Sequence, residues 1–115
     1  VKESPIFTRT YDFLRWLIPL TVGFPRHQRF VLAEVLQQTA IRFQEQIIEA
    51  ARNPEPLSLL GQADTELAKL RLFLRLCYDL RLMSLGQYKH GTERLAEIGR
   101  LLGGWQKKMQ PCHSS

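Results

Sequence analysis

At 115 residues, 44% of them hydrophobic, the chain has the size of a single domain and enough apolar material for one core. Lys+Arg 16 against Asp+Glu 11 gives a formal charge of +5 and a pI near 9.6, which suits a polyanion or an acidic protein surface without deciding between them. No apolar run reaches bilayer length, no signal-peptide pattern opens the chain, and Cys77 and Cys112 form neither a disulfide framework nor a CxxC metal pair, so no membrane role and a cytoplasmic location are expected.

The first helix is predicted from about Thr8 to Val22, with Tyr11, Leu14, Leu17 and Ile18 on one face and Pro19 loosening the last turn. Gly23, Phe24 and Pro25 make a corner, and a second helix runs from there to about Arg52 with a seam of Ala33, Leu36, Ala40, Phe43, Ile47 and Ala50. Asn53-Pro54-Glu55-Pro56 must turn, because each proline lacks an amide donor and restricts the residue before it. A third helix follows from Leu57 or Ser58 to about Leu85, its seam Leu60, Ala63, Leu67, Leu70, Leu74 and Cys77. After a break at Gly86, a fourth spans Gln87 to Met109 with Tyr88, Gly91, Leu95, Ile98, Leu102 and Trp105 on its inner face. Residues 1–5 and 110–115 read as disordered ends of one domain.

Short connections between long helices favour antiparallel neighbours, so the expected fold is all-α, an up-down-up-down four-helix bundle. Helix 3 carries Leu59, Leu72, Phe73, Leu76, Leu80 and Leu82 beyond what its seam needs. Helix 1 and a second subunit are expected to cover them together, which favours an oligomer.

Two readings compete for each cationic cluster. Arg71 and Arg75, one turn apart with Tyr78 beyond, fit phosphate contact and base stacking, or ordinary ion pairs of Arg75 with Asp79 and of Arg71 with Glu97 or Glu45. Arg26, His27 and Arg29 crowd the start of helix 2, where the dipole attracts anions and cations add nothing to stability; a solvated corner is the plainer reading. Lys89, Arg94 and Arg100 extend the basic character along helix 4, interrupted by Glu93 and Glu97 as on any mixed solvent face, and Lys107-Lys108 suits a helix C-terminus. Gly103-Gly104 would stop a helix or admit a neighbouring backbone, with Trp105 anchoring the bundle end.

Signals for catalysis are poor. His27, His90 and His113 are scattered away from any metal-ligand spacing, and the paired-glutamate and ExxH pattern of di-iron bundles is absent. Glu45 and Glu49 read as an exposed acidic face, and Cys77 as an inert core residue. No enzyme activity, cofactor or metal is expected.

Specific pieces carry a family resemblance: Tyr11-Asp12-Phe13-Leu14 with Trp16-Leu17-Ile18-Pro19, Phe24-Pro25-Arg26 with Arg29-Phe30, Leu70-Arg71-Leu72 with Leu74-Arg75-Leu76, Gln87-Tyr88, and Glu97-Ile98-Gly99-Arg100 closing on Gly103-Gly104-Trp105. Over Tyr11 to Lys107 the chain resembles the accessory variability determinant (Avd) proteins of diversity-generating retroelements. Gly86, preceded by Arg81-Leu82-Met83, departs from that pattern at the corner before helix 4. The resemblance implies a non-catalytic four-helix bundle, assembled as a homopentamer, that binds the element's reverse transcriptase. It implies association with the template-repeat RNA, with cDNA or DNA as a further nucleic-acid partner, and support of adenine-directed mutagenic copying and retrohoming. No RNA-binding residue is carried over by the resemblance; Arg26, Arg29, Arg71, Arg75, Lys89, Arg94 and Arg100 are candidates by charge and position. The alternatives are a four-helix protein of the ribosomal-RNA intervening-sequence type, and a basic protein-interaction module that binds no RNA.

Overall fold

The structure, a computed structural model, describes residues 5–111, without the side chains of residues 28–30. Its elements are α1 (Pro5–Val22), a short α2 (Arg26–Gln28), a π-helical segment (Arg29–Ala33), α3 (Glu34–Ala51), α4 (Leu57–Asp79) and α5 (Leu85–Met109). No strand occurs among the described residues. The four long helices form a bundle in which α1 and α4 each touch both α3 and α5. It measures 52 × 25 × 23 Å, a length set by α4 and α5 at about 1.5 Å per residue plus the corners.

The seams read from helical periodicity make one continuous core. Leu60, Ala63, Leu67, Leu70, Leu74 and Cys77 of α4 meet Leu36, Ala40, Phe43, Ile47 and Ala50 of α3 and Leu95, Ile98 and Leu102 of α5, all of them buried. Each large side chain removed from water there contributes roughly 1.5–3 kcal/mol. Tyr88 and Trp105 sit half-buried at the two ends of the α5 seam. Trp105 anchors its end as expected, edge-on to Phe7 with ring centroids 6.1 Å apart.

The expected face of helix 1 is buried only in part: Leu17 is in the core and Leu14 packs against it, but Tyr11 and Ile18 do not. Ile6, Thr10, Phe13, Leu17 and Thr21 point into the core, whereas Tyr11 is 59% exposed and Ile18 is also exposed. Two threonines occupy core positions because their hydroxyls are satisfied locally: Thr10 Oγ1 donates to the Ile6 carbonyl at 2.7 Å and Thr21 Oγ1 to the Leu17 carbonyl at 2.9 Å. Gln37 Nε2 of α3 then donates to Thr21 Oγ1 at 2.8 Å. Helix 1 also extends further toward the N-terminus than expected, being helical from the first described residue, Pro5, and not only from Thr8. Residues 1–4 and 112–115 lie outside the described residues, and with them His113 and Cys112.

The second helix runs within its expected bounds, Arg26 to Ala51, but not as regular α-helix throughout. A π-helical segment separates α2 from α3, and Phe24, Leu32 and Ala33 are buried around it. The third helix stops at Asp79 instead of Leu85, and the reason is a Schellman ending. The Leu82 amide donates to the Cys77 carbonyl at 2.8 Å and the Arg81 amide to the Tyr78 carbonyl at 2.9 Å. Arg81 takes the left-handed position of that motif, φ 63°, where glycine is usual and an L side chain costs about 1–2 kcal/mol. Helix α5 then starts at Leu85 behind an N-cap, Ser84, whose Oγ accepts from the Gln87 amide at 3.1 Å while Gln87 Oε1 accepts from the Ser84 amide at 2.9 Å. The break therefore falls at residues 80–84 and not at Gly86.

Gly103 and Gly104 neither stop α5 nor admit a neighbouring backbone, since a Cβ at either would meet nothing within 4 Å. Close approach occurs instead at Gly91, against Trp16 and Leu74, and at Gly99, against the Arg71 guanidinium and Leu67. Between α3 and α4 the buried carboxylate of Glu66 is held by Arg42 Nε and Lys69 Nζ, both at 3.3 Å.

Candidate nucleic-acid interface

Of the six candidate cations whose side chains are described, two are engaged in ion pairs. Arg75 Nε faces Asp79 Oδ2 at 3.8 Å, the expected i,i+4 pair, but both side chains are largely exposed and the contact is worth little. Arg94 Nη1 lies 3.8 Å from Glu97 Oε1, and its Nε is buried without a hydrogen-bond partner. Glu97 is held more closely by Arg9, whose Nε lies 2.8 Å from Oε2. Arg71 therefore meets neither Glu97 nor Glu45; its guanidinium lies over Gly99, where only a missing side chain leaves room.

That placement puts the Arg71 guanidinium beside the residue preceding Arg100; neither arginine forms an ion pair among the described residues. Lys89, Arg100 and Lys107 are exposed and recur at about three and about two turns on the outer side of α5. Arg26 is exposed at the α1–α2 corner. The side chain of Arg29 is outside the described residues. The structure thus separates the candidates: Arg26 and Lys89 near one end of the bundle, Arg71, Arg94 and Arg100 along its middle.

Helix α2 passes through the π-helical segment into α3 without a break in helical backbone, so Arg26 stands at the start of a continuous helical run that reaches Ala51. Arg81, exposed and without an ion pair, is not among the sequence candidates. A helix extended to Leu85 makes it an ordinary surface residue, and only the left-handed backbone sets it apart.

Among the described residues no group of His, Cys, Asp and Glu is placed to hold a metal ion. Cys77 is fully buried, and that burial pushes its thiol up to about 11, away from nucleophilic use. No helix of the described residues is long and apolar enough to cross a membrane.

The sequence pattern of the family described as bAvd-like matches residues 5–109, nearly the whole chain. The chain belongs to the bAvd-like family. This family, the bacterial accessory variability determinants, is accessory and non-catalytic. A comparison with curated proteins finds no match. Among solved structures, the bAvd-like chain is similar to a protein of unknown function from the S23 ribosomal protein family of Bacteroides thetaiotaomicron. The TM-score is 0.81 at 19% identity, over 89% of this chain and 95% of the other. At that identity the likeness is one of fold. The bAvd-like match covers each of the motifs on which the sequence resemblance was read.

Proposed function

We propose that this protein is the accessory subunit of a diversity-generating retroelement, binding the reverse transcriptase and the template-repeat RNA in the cytoplasm to support mutagenic cDNA synthesis and retrohoming. Membership of the bAvd-like family over residues 5–109 is the observation that carries this reading. Its architecture is read as an antiparallel up-down-up-down bundle forming a homopentamer. The contacts of Phe7 with Trp105 and of Trp16 with His90, and those of Leu67 with Gly99 and of Leu74 with Gly91, run in opposed residue order and support the antiparallel part.

Two exposed apolar surfaces support assembly. Leu72, Leu76 and Leu80 form a stripe along α4, with Leu72 63% exposed. Tyr11, Gln44 and Ile48 line a groove of about 380 Å³ between α1 and α3, beside exposed Ile18 and Ile41. A pair of different surfaces on each subunit suits the head-to-tail contacts that close a ring. RNA attraction is assigned to Arg26, Arg29, Arg71, Arg75, Lys89, Arg94 and Arg100, with the cations that lack an ion pair foremost because their charge is not offset locally.

Light scattering over a salt series, with and without the cognate template-repeat RNA, tests the reading. A pentamer that takes up RNA at low salt and releases it as salt rises is expected; a monomer indifferent to RNA overturns both the ring and the basic surface. The fold likeness to the S23-family protein favours a second reading, a four-helix protein of the ribosomal-RNA intervening-sequence type. Copurification separates them: a stable complex with the cognate reverse transcriptase supports the retroelement role, and an assembled bundle that ignores it supports the second reading.

A further inference from the structure

We propose that Arg81 contacts RNA phosphate and that, with Arg26 and Lys89, it forms an anion-binding end of the bundle. The inference rests on the RNA-binding reading above and deepens it by naming where the RNA backbone sits.

Ring contacts fix the relative heights of the helices. Trp16 of α1 lies against His90 of α5 with centroids 5.0 Å apart, and Tyr78 of α4 stacks on Tyr88 of α5 at 4.7 Å. From Trp16 to Val22 α1 advances about 9 Å, and from His90 back to Leu85 α5 spans about 8 Å. The α1–α2 corner and the α4–α5 connection therefore share one end of the bundle, across a section of 25 × 23 Å. Arg26 comes from the first, Arg81 from the second, and Lys89 from the first turns of α5.

All three are exposed, and none forms an ion pair among the described residues. Of the acidic residues nearest in the chain, Asp79 faces Arg75 and Glu34 Oε1 accepts from Gln38 Nε2 at 3.2 Å, while Glu93, one turn beyond Lys89, is exposed and makes no ion pair with it among the described residues. An end that carries unmatched cations attracts an anion with several charges along its length.

The backbone singles out Arg81 within this group. Its φ of 63° is a conformation in which glycine is favoured, and the two Schellman hydrogen bonds hold it there. An arginine standing where glycine folds better points to a use other than stability. A guanidinium, always charged and able to donate two parallel hydrogen bonds, is the side chain that phosphate oxygens reward most.

Arg81→Gly tests the proposal because stability and binding are expected to move in opposite directions. The melting temperature should rise by a few degrees, while affinity for a single-stranded RNA oligonucleotide of template-repeat sequence should fall roughly three- to tenfold. The slope of log K against log salt should shrink by about 0.7, the loss of one phosphate contact. Arg81→Lys, which keeps the charge but not the paired hydrogen bonds, should keep the parental salt slope and lose less affinity than Arg81→Gly, and Arg52→Ala, in the α3–α4 turn at the opposite end, should leave affinity unchanged.

An Arg81→Gly protein that binds RNA with the parental affinity and salt slope overturns the proposal while leaving the RNA-binding reading intact. Weaker binding together with a lower melting temperature also overturns it, because loss of fold then accounts for the loss of affinity. Unchanged RNA affinity with lost reverse-transcriptase binding reassigns this end to a protein contact. A parental chain that retains no RNA at any salt defeats the underlying reading as well, and so is distinguishable from failure of the site alone.

Discussion

Single residues in this bundle act through the space they leave. At Gly91 an added Cβ would lie 2.9 Å from Trp16 Cη2 and 3.1 Å from Leu74 Cδ1, two side chains that are themselves packed. Overpacking of that kind costs about 1–3 kcal/mol against a helix-propensity gain of about 1 kcal/mol. Gly91→Ala is therefore expected to lower stability by about 1 kcal/mol in urea unfolding, whereas Gly61→Ala, with nothing within 4 Å, should raise it by about 0.5–1 kcal/mol. Cys77 gives a second residue-scale test. With its thiol raised from 9.0 to about 11 by burial, its contribution to stability is complete below pH 9 and is lost as pH rises toward 11. Iodoacetamide at pH 8 should leave Cys77 unmodified in the native protein and label it in denaturant; equal labelling rates in both states would disprove its protection. The inertness of Cys77 was legible from the apolar stripe around it, but the approach of Trp16 to Gly91 was not, because spacing within one helix says nothing of what lies opposite.

The helices differ in how much of them periodicity revealed. The α3 and α4 seams were readable residue by residue, since each has one apolar stripe and that stripe is the core. Helix α1 has two. The expected Tyr11, Leu14, Leu17 and Ile18 face shares Leu17 with the core, yet Tyr11 and Ile18 are left outside and Thr10 and Thr21 taken in, whose hydroxyls are absorbed by carbonyls one turn back. The end of α4 was misplaced for a similar reason, because a Schellman ending with arginine instead of glycine carries no sequence signal. The start of α5 was nearly legible in Ser84 and Gln87, which stand at capping-box spacing. Ser84→Ala is expected to cost about 1 kcal/mol, read from the urea midpoint at unchanged slope. A loss below a few tenths of a kcal/mol would mean that packing of Met83, buried just before the cap, fixes this corner without it.

At the scale of the molecule, the bundle leaves apolar area that its own core does not use. Leu76 lies in the middle of the α4 stripe, 39% exposed and between Leu72 and Leu80. If that stripe is a subunit contact of the proposed ring, Leu76→Glu should reduce the mass seen by light scattering toward that of one chain. The stability of the isolated subunit should change by no more than about 0.5 kcal/mol. A variant that keeps the full assembled mass would exclude the stripe from the interface. The charge of the molecule divides in the same way, between cations consumed by Glu66, Asp79 and Glu97 and cations left free at the end and along α5. Composition counts both kinds alike. Arg71 illustrates the difference: two acidic partners were available on sequence grounds, and the groove over Gly99 took it instead.

The sequence by itself determined an all-α chain, four long helices, three of their four buried seams and, through its motifs, the family to which it belongs. These follow from local rules, since a 3.6-residue period and proline or glycine breaks are properties of one segment at a time. The tertiary structure decided which face of α1 is buried, where α4 ends, which arginines are paired and which are free. Each of those choices compares the energies of contacts between segments distant in the chain, and no single segment carries that comparison in its own residues.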